Sequence, residues 1–240
     1  IDFIKRNQNF TETCVFKDVI SPELVEILQK GVLEVLRERL KHKHFRNGMR
    51  IYIEGKEQKD SFYEELSQNP PRDDEDMIDY AARTFDKKFG IIFNYGEKHS
   101  DLLSQHIRKC VSPLIDLVGL PPMGLEITIF IGNYGWTPLG IHQDHRGENV
   151  LHFHLGPGAK TMYTWDEDIY KELEVKKHNN KDIEPILEHA RSYPFEAGDL
   201  YYMPWFKHHV GYTGELSVGA SLWFNNPTKY VYENQMLDSI

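Results

Sequence analysis

The stretch IHQDHRGENVLHFHLGPGAK, residues 141–160, gathers His142, Asp144, His145, His152, His154 and Lys160 within one short run. In an extended strand, residues i and i+2 project to the same side, so His142 and Asp144 project together, about 7 Å apart along the strand. An imidazole and a carboxylate placed this way can hold two faces of one metal ion, with a third ligand arriving from a distant strand. That set, two histidines and one carboxylate, is the facial triad of non-haem Fe(II) sites and leaves positions open for other molecules. Alone the HxD spacing is weak, because the chain has 12 histidines. A second element, EAGDLYYMPWFKHHVGYTGELSVGASLWF (196–224), supplies the adjacent pair His208 and His209. Extended, these two face opposite sides, so at most one of them is a ligand.

The remaining histidines of the first stretch depend on strand direction. His145 follows the candidate ligand and points away from it. His152 and His154 share one face of the next strand. If Asn149 faces the pocket, then so do Leu151 and Phe153, and both histidines face away. A register shifted by one residue turns both inward. Lys160 is the sole lysine between Lys109 and Lys171, and a fixed cation in a dry pocket can pair with a carboxylate.

These residues need a scaffold, and the sequence divides near Pro122. The front half reads mostly helical. SPELVEILQKGVLEVLRERL has Ser21 as an N-cap, Pro22 at the first helical position, and Leu24, Leu28, Val32, Leu36 and Leu40 at four-residue spacing. PPRDDEDMIDYAARTFDKKFG has acids first and lysines last, as the helix dipole prefers, with Met77, Tyr80, Ala81, Thr84 and Phe85 as its apolar face. HSDLLSQHIRKCVSPLIDLVGLPP is a third helix, which Pro113 either kinks or restarts with Ser112 as a cap. After Pro122 come short β-branched and aromatic runs: LEITIFIGNY, NVLHFHLG, KTMYTW, DLYYMPW and ELSVGASLWF. A helix-like insert near Lys181–Arg191 interrupts them. Such a series must close or stack to hide its edges. The expected class is α+β with a mainly β core, a jelly roll carrying a helical N-terminal layer. One domain spans 1–240: helical support over 1–122, the β core over 123–228 with an insert at about 166–190, and a tail over 229–240.

Composition removes several function classes. Hydrophobic residues make up 40% and charged residues 27%, with a net charge of −9, which argues against a partner rich in phosphate. The basic run RERLKHKHFR (37–46) reads as a solvated helix end. No apolar run is long enough to span a membrane, and the first ten residues hold no apolar signal core, so a cytoplasmic protein without membrane or nucleic-acid partners is expected. Cys14 and Cys110 lack the spacing of a zinc or redox motif and read as two thiols.

HxD, a G-x-K strand, then GDxxYxP-W-x-x-H-x-V and a strand ending in Trp223-Phe224 together resemble the JmjC/cupin-like Fe(II)- and 2-oxoglutarate-dependent oxygenases, in their small hydroxylase branch. The resemblance covers roughly Ile127–Pro227. It implies a double-stranded β-helix, with Fe(II) as cofactor and 2-oxoglutarate and O2 as cosubstrates converted to succinate and CO2. The implied outcome is hydroxylation of an unactivated C–H bond. It makes His142 and Asp144 two metal ligands, and the rule that the distal histidine lies two before an aliphatic residue gives His208 from Val210. It makes Lys160 the anchor of the far carboxylate of 2-oxoglutarate and Asn149 a polar contact. Thr137 is a hydroxyl contact that sits five residues before His142, where the family usually has it three before. A carboxylate at Asp144 favours hydroxylation or desaturation over halogenation. The family often dimerises through helices, so a homodimer is an expectation.

Trp205, Trp223, His152 and His154 are candidate substrate contacts, although Tyr201, Tyr202 and both tryptophans read first as core. The insert reads as solvated, yet such inserts often cap a cavity mouth. Expected substrates are an amino acid, a peptide side chain or a small metabolite. Two competing readings are a metal-dependent cupin of another class that uses no oxoacid, and a non-catalytic β-barrel binding module. Lys160 separates the first from oxygenase chemistry, and an intact triad argues against the second.

Overall fold

The structure is a computed structural model and describes residues 2–41, 48–175 and 178–225. Six helices are α1 (Asp2–Arg6), α2 (Pro22–Lys41), α3 (Asp60–Ser67), α4 (Met77–Thr84), α5 (Asp101–Val118) and α6 (Glu167–Glu172). Four strands fall in the front half: β1 (Cys14–Phe16), β2 (Met49–Ile53), β3 (Lys56–Glu57) and β4 (Phe89–Phe93). Eight follow: β5 (Leu125–Gly132), β6 (Gly135–Trp136), β7 (Glu148–Pro157), β8 (Lys160–Trp165), β9 (Arg191–Phe195), β10 (Leu200–Met203), β11 (His208–Thr213) and β12 (Ser217–Asn225). No helix among the described residues is long and apolar enough to cross a membrane.

The strands form two antiparallel sheets, one of eight strands in the order β1-β10-β7-β12-β5-β4-β2-β3 and one of four in the order β6-β11-β8-β9. From β5 onward the chain crosses between sheets at nearly every connection. The quartet β10-β7-β12-β5 thereby faces the quartet β6-β11-β8-β9, which is the winding of a double-stranded β-helix. β1 extends the larger sheet on one side, and β4, β2 and β3 on the other. The front half is thus less helical than its sequence suggests. GMRIYIEG and FGIIF become sheet strands, the second buried along its whole length, and the lysines assigned to the end of the second helix lie beyond its last turn at Thr84.

The helices pack on the outward face of the larger sheet. α2 starts where Ser21 Oγ accepts the Leu24 N–H at 3.3 Å, and it buries Leu28, Val32, Leu36 and Leu40. α5 starts at Ser100, whose Oγ accepts the Leu103 N–H at 3.0 Å, and it runs unbroken through Pro113. Proline cannot donate to the Lys109 carbonyl, and the Ser112 hydroxyl lies 3.4 Å from that oxygen while donating to Arg108 O at 2.8 Å. The helices close where Gly31 meets Leu103, a contact with no room for a β-carbon. One core joins Phe16, helix residues and Phe224, so the helical layer and the β-helix share a single interior.

Alternation sorts each central strand into two faces. Leu151, Phe153 and Leu155 of β7 and Ile127, Ile129 and Ile131 of β5 join the helix-side core. Their neighbours Val150, His152 and His154, and Thr128 and Phe130, therefore face the interior between the sheets. In the smaller sheet, Val210 and Trp165 pack outward under the insert. His209, Gly211, Thr164, Met162 and Lys160 take the inward face.

The insert is tied down along its length. Lys207, buried at the end of β10's loop, pairs with Asp166, as does Arg191. Trp165 Nε1 donates to Ile186 O at 2.9 Å, and Asn180 bridges to Ile141. The expected helix there is a 3-10 turn over Glu184–His189, preceded by α6. Within the basic run, Arg39 is 8% exposed rather than solvated, and residues 42–46 lie outside the described residues. The expected tail 229–240 also lies outside them. Both cysteines are free.

Candidate metal and anion site

His142 and His209 sit opposite each other in an isolated antiparallel bridge. Each backbone N–H donates to the other's carbonyl, at 3.2 and 2.9 Å. Their rings meet at 4.3 Å between centroids. Asp144 Oδ1 lies 3.7 Å from His142 Nε2 and 3.8 Å from His209 Nε2. One ligand atom from each residue lies within 4.8 Å of the others, so the three can converge on one ion.

The second nitrogen of each ring is engaged. His142 Nδ1 donates to Gly140 O at 2.8 Å, and His209 Nδ1 donates to Lys207 O at 3.1 Å. A carbonyl only accepts, so both imidazoles hold the tautomer whose Nε2 lone pair is directed at Asp144, the support that metal-ligating histidines generally have. Gly140 adopts φ +80°, and a β-carbon there would lie 2.6 Å from Asn180 O. The turn carrying His142 is thus pressed against the insert. Burial pushes the Asp144 carboxyl up to about 7. It pushes His142 down to about 4, aided by His209, and His209 also down to about 4. Asp144 Oδ2 is buried without a partner. Two neutral donors and a desolvated carboxylate, with no cationic side chain paired to it among the described residues, form a cluster that a divalent cation satisfies.

His208, expected from the sequence as the third ligand, is not in this cluster. It projects with Val210 to the outward face and stacks on Tyr170, 3.7 Å between ring centroids at 12°. Counting back from Val210 selected the parity of the outer face. The informative residue is Gly211, two after His209. A β-carbon there would lie 2.9 Å from Thr137 Oγ1 and 3.0 Å from both Lys160 Cε and Met162 Sδ, so the inward row is the one that must shrink.

That row leads to Lys160, 5% exposed on β8. Its Nζ lies 5.0 Å from the centroid of the Phe130 ring and makes no ion pair or hydrogen bond among the described residues. Thr137 lies beside it across Gly211, with its hydroxyl donating to Gly211 O at 3.0 Å. His152 also faces this end. Its ring lies over Gly219, where a β-carbon would approach within 2.2 Å of Cε1. Its Nδ1 pairs with Ser221 Oγ at 2.8 Å, and its Nε2 is buried without a partner. Burial and the Lys160 charge hold His152 well below its ordinary value. His154 Nε2 donates to Gly158 O at 2.8 Å, which leaves an unpartnered lone pair on Nδ1. The interior between the sheets therefore holds a buried, unpaired ammonium beside an imidazole with a free nitrogen.

The structure settles the register question for β7. Asn149 faces the helices, not the interior, and its Oδ1 accepts the Trp205 N–H at 3.1 Å. It holds the loop after β10 and is not placed to touch a molecule bound at Lys160. Trp223 lies on the inward row of β12, opposite Glu126 and Val150. Trp205 is half-buried and packs edge-on to Phe206. Glu148 begins the inward row of β7, where burial raises its carboxyl. The sequence reading missed Glu126 and Glu148. Their place in the alternation with Phe130 and His152 was the available signal.

No known sequence-family model matches this chain, and no curated protein sequence matches it. Solved structures do. The crystal structure of the Escherichia coli ribosomal oxygenase YcfD superposes with a TM-score of 0.55 at 17% identity, over 99% of this chain and 54% of that one. The structure of the same Escherichia coli oxygenase in complex with cobalt and 2-oxoglutarate gives 0.52 at 16% identity, over 99% and 54%. This chain spans about half the length of those it matches. At such identity the likeness is one of fold: the chain is a double-stranded β-helix protein folded like part of the Escherichia coli ribosomal oxygenase.

Proposed function

We propose that this chain is an Fe(II)- and 2-oxoglutarate-dependent oxygenase that hydroxylates an unactivated C–H bond. The observation that carries the proposal is the presence of two complementary groups in one interior: the converging His142–Asp144–His209 donor set and the buried Lys160, which has no ion-pair partner among the described residues. A metal-chelating dicarboxylate engages both at once. The likeness in fold to an oxygenase structure holding cobalt and 2-oxoglutarate supports the same reading.

The residues divide the work by chemistry. His142, Asp144 and His209 supply two nitrogens and one oxygen, the donor set of non-haem Fe(II). Bound Fe(II) supplies the oxidising chemistry, coupling O2 and 2-oxoglutarate to C–H oxidation with release of succinate and CO2. Gly140 and Lys207 carbonyls orient the two rings. Lys160 pairs with the far carboxylate of the oxoacid in a site that excludes water, and the ring of Phe130 restrains the ammonium. When Ser221 donates to His152 Nδ1, the His152 Nε2–H becomes a second donor toward that carboxylate. Thr137, its hydroxyl already committed to Gly211 O, shapes the pocket beside Lys160. We assign substrate contact to Trp223, whose position on the inward row of β12, opposite Glu126 and Val150, supports that reading.

The substrate class we favour is a side chain of a peptide or protein, in keeping with the likeness to a ribosomal oxygenase. Succinate formation tests the enzymatic claim. In air, protein loaded with Fe(II) should convert 2-oxoglutarate to succinate, slowly alone and faster with substrate. Failure to form succinate above the rate of free Fe(II) would defeat it.

A further inference from the structure

Both imidazoles of the metal cluster are held through backbone carbonyls. His142 Nδ1 donates to Gly140 O at 2.8 Å and His209 Nδ1 to Lys207 O at 3.1 Å. Gly140 and Lys207 both lie in loops rather than in strands. Each ring is therefore fixed only as firmly as its loop is.

The 166–190 insert reaches both loops. On the His142 side, Ile141 follows Gly140 and exchanges backbone hydrogen bonds with Asn180, at 2.7 and 3.0 Å. On the His209 side, the Lys207 ammonium pairs with Asp166 Oδ1, at the start of the insert. The Lys207 side chain is 7% exposed and that of Asp166 29%. A cation this buried is costly to separate from its carboxylate, so the pair pins residue 207. The bond from Lys207 holds the Asp166 carboxyl below its ordinary value. Arg191 Nη2 takes the other Asp166 oxygen at 2.9 Å, and Glu12 stands farther off, 3.9 Å from Lys207 Nζ. The loop has a second tie next to this one, where Gln143, between the two ligands His142 and Asp144, donates to Phe206 O at 2.7 Å. Lys207 thus joins the insert, through its side chain, to a metal-ligating ring, through its carbonyl.

We propose that the insert is the outer brace of the metal site and that Asp166 is a positioning residue, acting through Lys207 on the His209 ring. Asn180 braces the His142 turn in the same way from the other limb of the insert. The inference rests on reading His142, Asp144 and His209 as a metal site, and it assigns the insert a role in holding that site.

Mn(II) titration by calorimetry, with thermal unfolding in parallel, tests it on the whole chain. Asp166→Ala should weaken Mn(II) binding by about ten-fold, and Asp166→Glu should restore most of it. Lys207→Met should weaken binding to a similar degree with Tm little changed, because the methionine fills the same space and Asp166 keeps Arg191. That variant decides the matter if Asp166→Ala loses its fold. The visible spectrum of Co(II)-loaded protein, which reports ligand geometry, should shift in both variants. His208→Ala, which loosens the insert at Tyr170 without touching either carbonyl, should leave affinity and spectrum unchanged. Parent affinity in both Asp166→Ala and Lys207→Met overturns the inference and leaves the metal site standing. An equal loss in His208→Ala also overturns it, since general loosening of the insert would then be the cause. A parent chain that binds no Mn(II) defeats the metal site itself, and the inference with it.

Discussion

His209→Ala is expected to abolish tight metal binding, weakening Fe(II) or Mn(II) affinity by more than about 100-fold, whereas His208→Ala should leave it within about two-fold. The adjacent residues are chemically identical, so the contrast isolates geometry. His209 Nε2 lies 3.8 Å from Asp144 Oδ1. The His208 ring lies on the other face against Tyr170. Losing that stack should cost about 1 kcal/mol of stability, visible as a small drop in Tm with metal affinity intact. Metal titration by calorimetry, with thermal unfolding in parallel, separates the two effects. Loss of binding in His208→Ala with retention in His209→Ala would mean that the inward row has been misassigned.

Lys160→Met should raise the half-saturating concentration of 2-oxoglutarate by about 30-fold or more, since removing one partner of a buried charge pair costs about 2–5 kcal/mol. Without ligand, the same change should leave Tm unchanged or raise it. Lys160 is a buried cation without a protein counter-ion among the described residues, and an apolar chain of similar length removes that desolvation cost. A purely structural lysine would behave oppositely, losing stability and sparing oxoacid binding. The variant also separates oxygenase chemistry from a metal-dependent cupin that uses no oxoacid, whose turnover would survive it. Binding measured on Mn(II)-loaded protein keeps this readout apart from catalysis.

Much of this site was legible in the sequence because it follows from alternation. His142 and Asp144 share a side by spacing alone, and Lys160 stood out as an isolated lysine after a glycine turn. The β half was readable because its strands are short, β-branched and punctuated by Gly, Pro and Asn. Where the reading erred, parity was the missing fact. Whether His208 or His209 faces inward, and whether Asn149 or His152 does, depends on which face of each strand the helices cover. That is decided by Leu151 and Phe153 joining the core of α2 and α5, a contact between distant parts of the chain. The front strands escaped notice for a related reason. β2 has five residues between Gly48 and Gly55, too short for a periodic signal, and β4 is apolar on both faces. β4 is fixed by pairing with β5 and β2 by pairing with β4, each across a long separation rather than by its own pattern.

The most direct measurement is an absorption spectrum under anaerobic conditions. Protein with Fe(II) should be nearly colourless, and adding 2-oxoglutarate should produce a weak visible charge-transfer band that is absent in His209→Ala and requires a much higher oxoacid concentration in Lys160→Met. A parent protein that binds Fe(II) yet gives no band at saturating 2-oxoglutarate would contradict the assignment of one interior to both the metal and the oxoacid.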